Sequence, residues 1–329
     1  MSDRATVDRE ALDFLATVPL LEGLDEAALE QLARVMRRRT VPEGRVLWRQ
    51  GEHGREVFVV VEGTVSTLLG LPGDRTLEIG KAGPGQILGE IALLDGHGHT
   101  LGAQVTESAT LLALGQLDFA ALLVTQSPAA FALRRRLASH LTTRLRGQLD
   151  TLAVALSGES DGMQAEGTAP DPAELEQCKA PDSKYVRRMA TFHDLDPLAL
   201  WGFLTSGKYV RCPPGRTLVA EGTPSNDYYL TINGAVEKVL VRGDRRIRVG
   251  LAGPGIAFGY EGLIDGLPSP VTAITRERAL LLILPGNVFD HLFYREDAVS
   301  RVFLEAIQRD LLVSLRQALR QWARLRASA

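Results

Sequence analysis

This sequence predicts a mainly β fold built twice: two tandem β-barrels, each flanked by α-helices. Three observations predict it. Gly44, Gly51, Gly63, Gly85, Gly89 and Gly96 return as Gly215, Gly222, Gly234, Gly255, Gly259 and Gly266, 171 residues on for the first three and 170 for the rest. Short runs rich in β-branched residues separate these glycines, and a leucine-rich helical pattern follows each set. Glycine keeps its place where the backbone needs positive φ or a close strand approach, so a repeated glycine frame implies repeated turns and a tandem duplication.

Residues 1–20 read as an N-terminal tail, charged where a signal peptide needs an apolar core. Leu24, Ala28, Leu29, Leu32 and Val35 then recur at helical spacing behind Asp25, which predicts a leading helix over 24–38 with Arg37, Arg38 and Arg39 at its end. The second copy opens alike with Leu195, Asp196, Pro197 and Leu200. Strands are expected at Val57–Val61, Val65–Leu69 and Leu111–Leu114, and again at Tyr228–Ile232, Val236–Val241, Ile247–Leu251 and Leu280–Leu284. Many short strands with evenly spaced turns read as a sandwich or barrel.

Each β-region gives way to helices. Phe119, Leu122 and Leu123 precede Ser127 and Pro128, which fit an N-cap and a first helical residue. A stripe then runs through Leu137, Leu141, Leu145, Leu149 and Leu152, and this stripe is expected to pair two chains into a homodimer. The second copy ends on Phe303, Ile307, Leu311, Leu315, Leu319, Trp322 and Leu325. Between the copies, residues 157–183 are rich in Gly, Ser, Pro, Asp and Glu, as a flexible linker is. The expected domains are therefore 21–156 and 184–329.

At 329 residues, 45% of them hydrophobic, the chain can build two domains with separate cores. A formal net charge of −3 argues against a protein whose main task is to neutralise nucleic-acid phosphates. Two cysteines, Cys178 and Cys212, have neither a disulfide framework nor a metal-ligand spacing, so a reduced, cytoplasmic protein is expected. No apolar run approaches the ~18 residues that span a bilayer, and no integral membrane association is expected.

The segments VPEGRVLWRQGEHGREVFVVVEGTV (41–65) and CPPGRTLVAEGTPSNDYYLTINGAV (212–236) resemble the cyclic nucleotide-binding domain of protein kinase A regulatory subunits and catabolite-activator-type bacterial regulators. The resemblance implies a jelly-roll barrel and a phosphate-binding cassette: Gly-Glu-Leu-Ala-Leu, a few residues, then an arginine followed by small residues. In that family the glutamate holds the ribose and the arginine pairs with the cyclic phosphate. The first copy has Gly89, Glu90, Ile91, Ala92 and Leu93, then His99 and Thr100 where the arginine and its small neighbour belong. The second has Gly259, Tyr260 in place of the glutamate and Ser269 in place of the arginine.

Neither copy keeps the phosphate-binding arginine. Hydrogen bonds to a charged group contribute about 1.5–3 kcal/mol each, so its loss weakens phosphate binding by roughly ten- to a hundredfold or more. His99 offers one hydrogen bond in exchange and Ser269 a weaker one. The expected ligand site is thus Gly89, Glu90, Ile91, Ala92, His99 and Thr100, for a cyclic nucleotide or a purine nucleoside, with Gly259, Tyr260 and Ser269 a vestigial cassette. Arg75 and Arg276 are two arginines that would restore a phosphate contact if the fold brought them to a cassette.

No catalytic residue is expected, because Glu90 has no base or nucleophile at a readable spacing. No metal is expected, because His97 and His99 lack further ligands. The resemblance also implies what to look for as output. No helix-turn-helix is expected after the last helix, and Arg4 and Arg9 are too isolated for the expected arginine-rich kinase pseudosubstrate. The expectation is a non-enzymatic regulatory or adaptor protein that acts through an unidentified protein partner; the alternative is a purely structural module whose barrels have lost their ligands.

Overall fold

All twelve glycines of the repeated frame have positive φ, between 67° and 91°. At Gly63 an added Cβ would also lie 2.3 Å from the Ser108 carbonyl oxygen, and at Gly234 2.5 Å from that of Arg278. A side chain fails there on both counts, which is why the frame survives in both copies. The computed structural model of the chain describes residues 9–71, 75–124, 127–157, 175–187, 189, 196–242 and 245–328. Residues 1–8 of the expected tail, 158–174 of the expected linker and Leu195 lie outside them.

The chain divides into two compact units, Met1–Arg136 with Ala323–Ala329, and Leu137–Trp322. The first holds α1 (Arg9–Leu15), α2 (Glu26–Val35), β1 (Arg37–Val41), β2 (Val46–Trp48), β3 (Glu56–Leu71), β4 (Arg75–Ala82), β5 (Ile87–Leu88), α3 (Glu90–Asp95), β6 (Gly102–Gly115), α4 (Gln116–Val124) and the start of α5 (Pro128–Ser157). Its sheet is antiparallel in the order β1-β6-β3-β4, with β2 on β6 and β5 on β3. Trp48, Phe58, Val60, Val65, Val105 and Leu111 fill the barrel.

Three differences from the sequence expectation have local causes. Ala11 and Leu15, one helical turn apart, bury one face of α1, so part of the expected tail is a folded helix. The leading helix ends at Val35, and Arg37–Arg39 lie in β1, where Arg37 pairs with Ala113 and Arg39 with Leu111. Arginine tolerates an exposed strand because its stem can lie along the sheet: Arg39 grips Glu56 at 2.5 and 2.8 Å and sits 6.0 Å from the Phe58 ring. The runs Val57–Val61 and Val65–Leu69 join into one strand, β3, whose register against β6 shifts around Gly63.

The second unit continues α5 from Leu137. It then holds β7 (Glu176–Cys178), α6 (Ser183–Arg187), α7 (Pro197–Leu204), β8 (Lys208–Cys212), β9 (Thr217–Val219), β10 (Asp227–Asn233), β11 (Val236–Arg242), β12 (Arg245–Ala252), β13 (Ala257–Phe258), α8 (Glu261–Asp265), β14 (Thr272–Thr275), β15 (Ala279–Pro285), α9 (Gly286–Tyr294) and α10 (Ala298–Ser328) as far as Trp322. Two antiparallel sheets run β13-β10-β15-β8-β7 and β12-β11-β14-β9. Asp196 caps α7 by accepting the Ala199 N–H at 2.8 Å, as Asp25 caps α2 through Ala28.

Leu137, Leu141, Leu145, Leu149 and Leu152 do not form an open seam. Each is 0–3% exposed within the single chain. The leucine periodicity is real, but its apolar face is covered by the chain's own residues, and nothing of the stripe is left for a second copy to bury.

Candidate functional site

The cassette of the first unit is built on backbone geometry. Gly89 turns the chain at φ 91° into α3, and Gly96 turns it out at 67°. Glu90, Ile91 and Ala92 are buried, Thr100 is half-buried and His97 is exposed. The loop after α3 is pinned to its neighbour: the His99 N–H donates to the Glu52 carbonyl, and the Gly51 N–H donates to the His99 carbonyl, both at 2.8 Å.

This pinning lays the His99 imidazole on Trp48, with ring centroids 4.3 Å apart and planes 16° from parallel. The Trp48 indole N–H is itself held by the Leu101 carbonyl at 3.0 Å. The edge of the imidazole faces two glycines. A Cβ on Gly54 would come within 3.4 Å of His99 Cε1 and 2.7 Å of Ala92 Cβ, and one on Gly89 within 3.7 Å of His99 Cε1. His99, Gly89 and the first turn of α3 with Glu90 thus come together, and Gly54, which the sequence does not single out, lies beside them. What the sequence does not announce is Trp48, whose only hint is that the second copy has Val219 at the same place.

The second cassette keeps the turns and rearranges the rest. Gly259 has φ 80°, and Tyr260 takes the N-cap place of α8. Tyr260 is buried against Tyr228, with centroids 5.5 Å apart, and Tyr228 packs in turn on Phe203, Phe289 and Phe303. The Ser269 hydroxyl donates to the Val271 carbonyl at 2.8 Å, so the group at the arginine position is spent on its own loop.

Of the two arginines singled out earlier, Arg276 lies 3.6 Å from Glu237 and Arg75 is exposed at the start of β4. Arg146 of α5 does reach a cassette, the second. Its Nε bonds Asp265 Oδ2, and its two terminal nitrogens reach Asp265 Oδ1 at 2.9 Å and the Pro268 carbonyl at 2.8 Å. The guanidinium therefore closes the C-terminal end of α8, where a cation meets the helix dipole, and ties down the loop that carries Ser269.

Among the described residues no three His, Cys, Asp or Glu side chains gather as a metal site would require, and no helix is long and apolar enough to cross a membrane. The sequence model of the cyclic nucleotide-binding domain matches residues 38–126 and 209–296, the two barrels, and the chain belongs to that family. Over 115 residues it is 38% identical to a cyclic nucleotide-gated potassium channel of Mesorhizobium japonicum, covering 35% of this chain and 30% of the channel. Over 122 residues it is 31% identical to the cyclic AMP receptor protein of Thermus thermophilus, covering 36% of this chain and 56% of that protein. The chain thus matches less than two thirds of either relative. Among solved structures, the cAMP-bound regulatory domain of Toxoplasma gondii PKA aligns with a TM-score of 0.34 at 17% identity, over 88% of this chain and 93% of that one.

Proposed function

We propose that the chain is a non-enzymatic regulatory protein in which the first barrel holds a nucleotide or purine nucleoside and the second serves as scaffold. The observation that carries this is the unequal fate of the two cassettes. In the first, His99 lies on Trp48 with its edge toward the glycine-lined first turn of α3 and Glu90 heads that helix. In the second, the Ser269 hydroxyl and the Tyr260 ring are both consumed by the protein itself.

A site with an imidazole in place of a guanidinium favours ligands in which the phosphate counts for little, so a nucleoside binds nearly as well as its cyclic phosphate. The signal leaves through contact with a protein partner. That partner, whether another protein or a second copy of the chain, meets surfaces other than the leucine stripe, which is already covered. Cys178 and Cys212 are both free thiols, in keeping with a reduced compartment such as the cytoplasm.

Calorimetry on the full chain with cyclic AMP, cyclic GMP and adenosine tests this. One site per chain is expected, with cyclic AMP and adenosine within tenfold of each other and both lost on Glu90→Gln. Two equivalent sites, or a site indifferent to Glu90→Gln, would overturn it.

A further inference from the structure

A group of ionisable side chains lies buried in the second unit, away from Ser269. Lys238 of β11, Glu261 of α8 and Asp310 of α10 are 4%, 2% and 0% exposed. The Lys238 ammonium donates to the Ser314 hydroxyl of α10 at 2.6 Å, and Asp310 Oδ2 accepts the Ala257 N–H of β13 at 3.0 Å. The other oxygens of the two acids, Glu261 Oε2 and Asp310 Oδ1, and the Tyr228 hydroxyl make no hydrogen bond among the described residues. At the corresponding positions the first copy has Thr67, Ile91 and His140, so the group belongs to the second copy alone.

One ammonium faces two carboxyls here, out of reach of water. Such a compartment is electrically neutral only when one carboxyl carries a proton, since an unpaired buried charge is costly. Burial first, and Glu261 as well, push the Asp310 carboxyl up to about 8 against the opposing pull of the Ala257 N–H, Lys238 and Arg309. Burial lowers Lys238, while Glu261 and Asp310 hold it up. Tyr228 of β10 and Tyr260 of α8, ionisable neighbours as well, are driven well above the ordinary phenol range by burial first and then by Asp310, and stay neutral.

We infer that Lys238 and Asp310, with Glu261 buried beside them, form a proton-controlled latch that holds β11 and β13 of the second unit to its last helix α10. It is closed while Asp310 keeps its proton and loosened when the proton leaves, with no nucleotide required. Loss of the proton adds a negative charge to a compartment closed to water, and opening the contact to water relieves it. The sign follows from linkage. Because Asp310 holds its proton more tightly folded than unfolded, its contribution is full below the ordinary value of 3.8, falls as pH rises and levels off above about 8. That is the reverse of a salt-bridged aspartate.

Hydrogen exchange on the full chain without nucleotide, at pH 6 and pH 9 and corrected for intrinsic rates, reads the latch at Ala257 and along α10. Protection is expected to drop at least tenfold at pH 9 in the wild type and to stay level in Asp310→Asn, whose amide cannot ionise. Equal protection at both pH values in the wild type, or an equal drop in the variant, overturns the latch. Should the variant not fold, a carbon-detected titration of the wild-type Asp310 carboxyl decides: a midpoint between pH 7 and 9 supports the latch, and one below 5 sinks it.

Discussion

The imidazole of His99 lies flat on the indole of Trp48, 4.3 Å centroid to centroid, where a family member would place an arginine. A guanidinium is also planar and stacks on an indole, so the platform suits either group. His99→Arg is therefore expected to fold normally and to raise cyclic AMP affinity ten- to a hundredfold, while adenosine affinity stays within threefold. Calorimetry with both ligands checks it. Equal gains for the two ligands would mean that position 99 does not meet the phosphate.

Gly54 and Ala92 fit each other by size, and the second barrel solves the same contact the other way round. Ser225 replaces the first glycine and Gly262 the alanine, and a Cβ on Gly262 would lie 2.8 Å from the Ser225 hydroxyl. Gly54→Ala is expected to cost about 1–3 kcal/mol through overpacking. Adding Ala92→Gly should recover all but the ~1 kcal/mol that a glycine costs inside a helix. Denaturant midpoints for the two single variants and the double variant close this cycle, and simple additivity would show that the two residues do not compete for space.

Leu141 is 0% exposed inside one chain. Leu141→Asp should therefore abolish cooperative unfolding of the second unit, because a carboxylate there has neither water nor a partner. Circular dichroism and light scattering on the same samples separate the outcomes. A well-folded variant that merely halves its mass would return the leucine stripe to an interface between chains.

Arg146→Lys keeps the charge and removes the planar fork. The side chains of Arg146 and Asp265 are 15% and 16% exposed, enough burial for the pair to matter. We expect a loss of about 1.5–3 kcal/mol, the scale of hydrogen bonds to a charged group, and faster proteolysis between Asp265 and Pro268. Unchanged cleavage kinetics would leave Arg146 a surface residue with no hold on the loop.

Much of the fold was written locally. The twelve glycines sit where their backbone demands them, and a demand of that kind leaves its mark at one position at a time. The caps at Asp25 and Asp196 are legible for the same reason, since the bonded partner is three residues away. Arg146 was not legible, because its partner Asp265 lies 119 residues off and no spacing links them. The arginines at 37–39 misled because a cation suits a helix end and an exposed strand alike, and only the pairing of β1 with β6 decides. The leucine stripe announced an apolar face correctly but could not announce what covers it.

In each barrel the turns rest on residues that have no side chain, and the chemistry rests on a handful that do. Gly89 and Gly259 stand where the two meet, at the entry to each cassette helix. A substitution at position 99 or 269 changes the group offered to a ligand, whereas Trp48 and Val219 also fill their barrel cores and cannot change without repacking them. The two copies amount to a pair of sockets, and a chain with two like receptors would need Tyr260→Glu as well as Val219→Trp and Ser269→His.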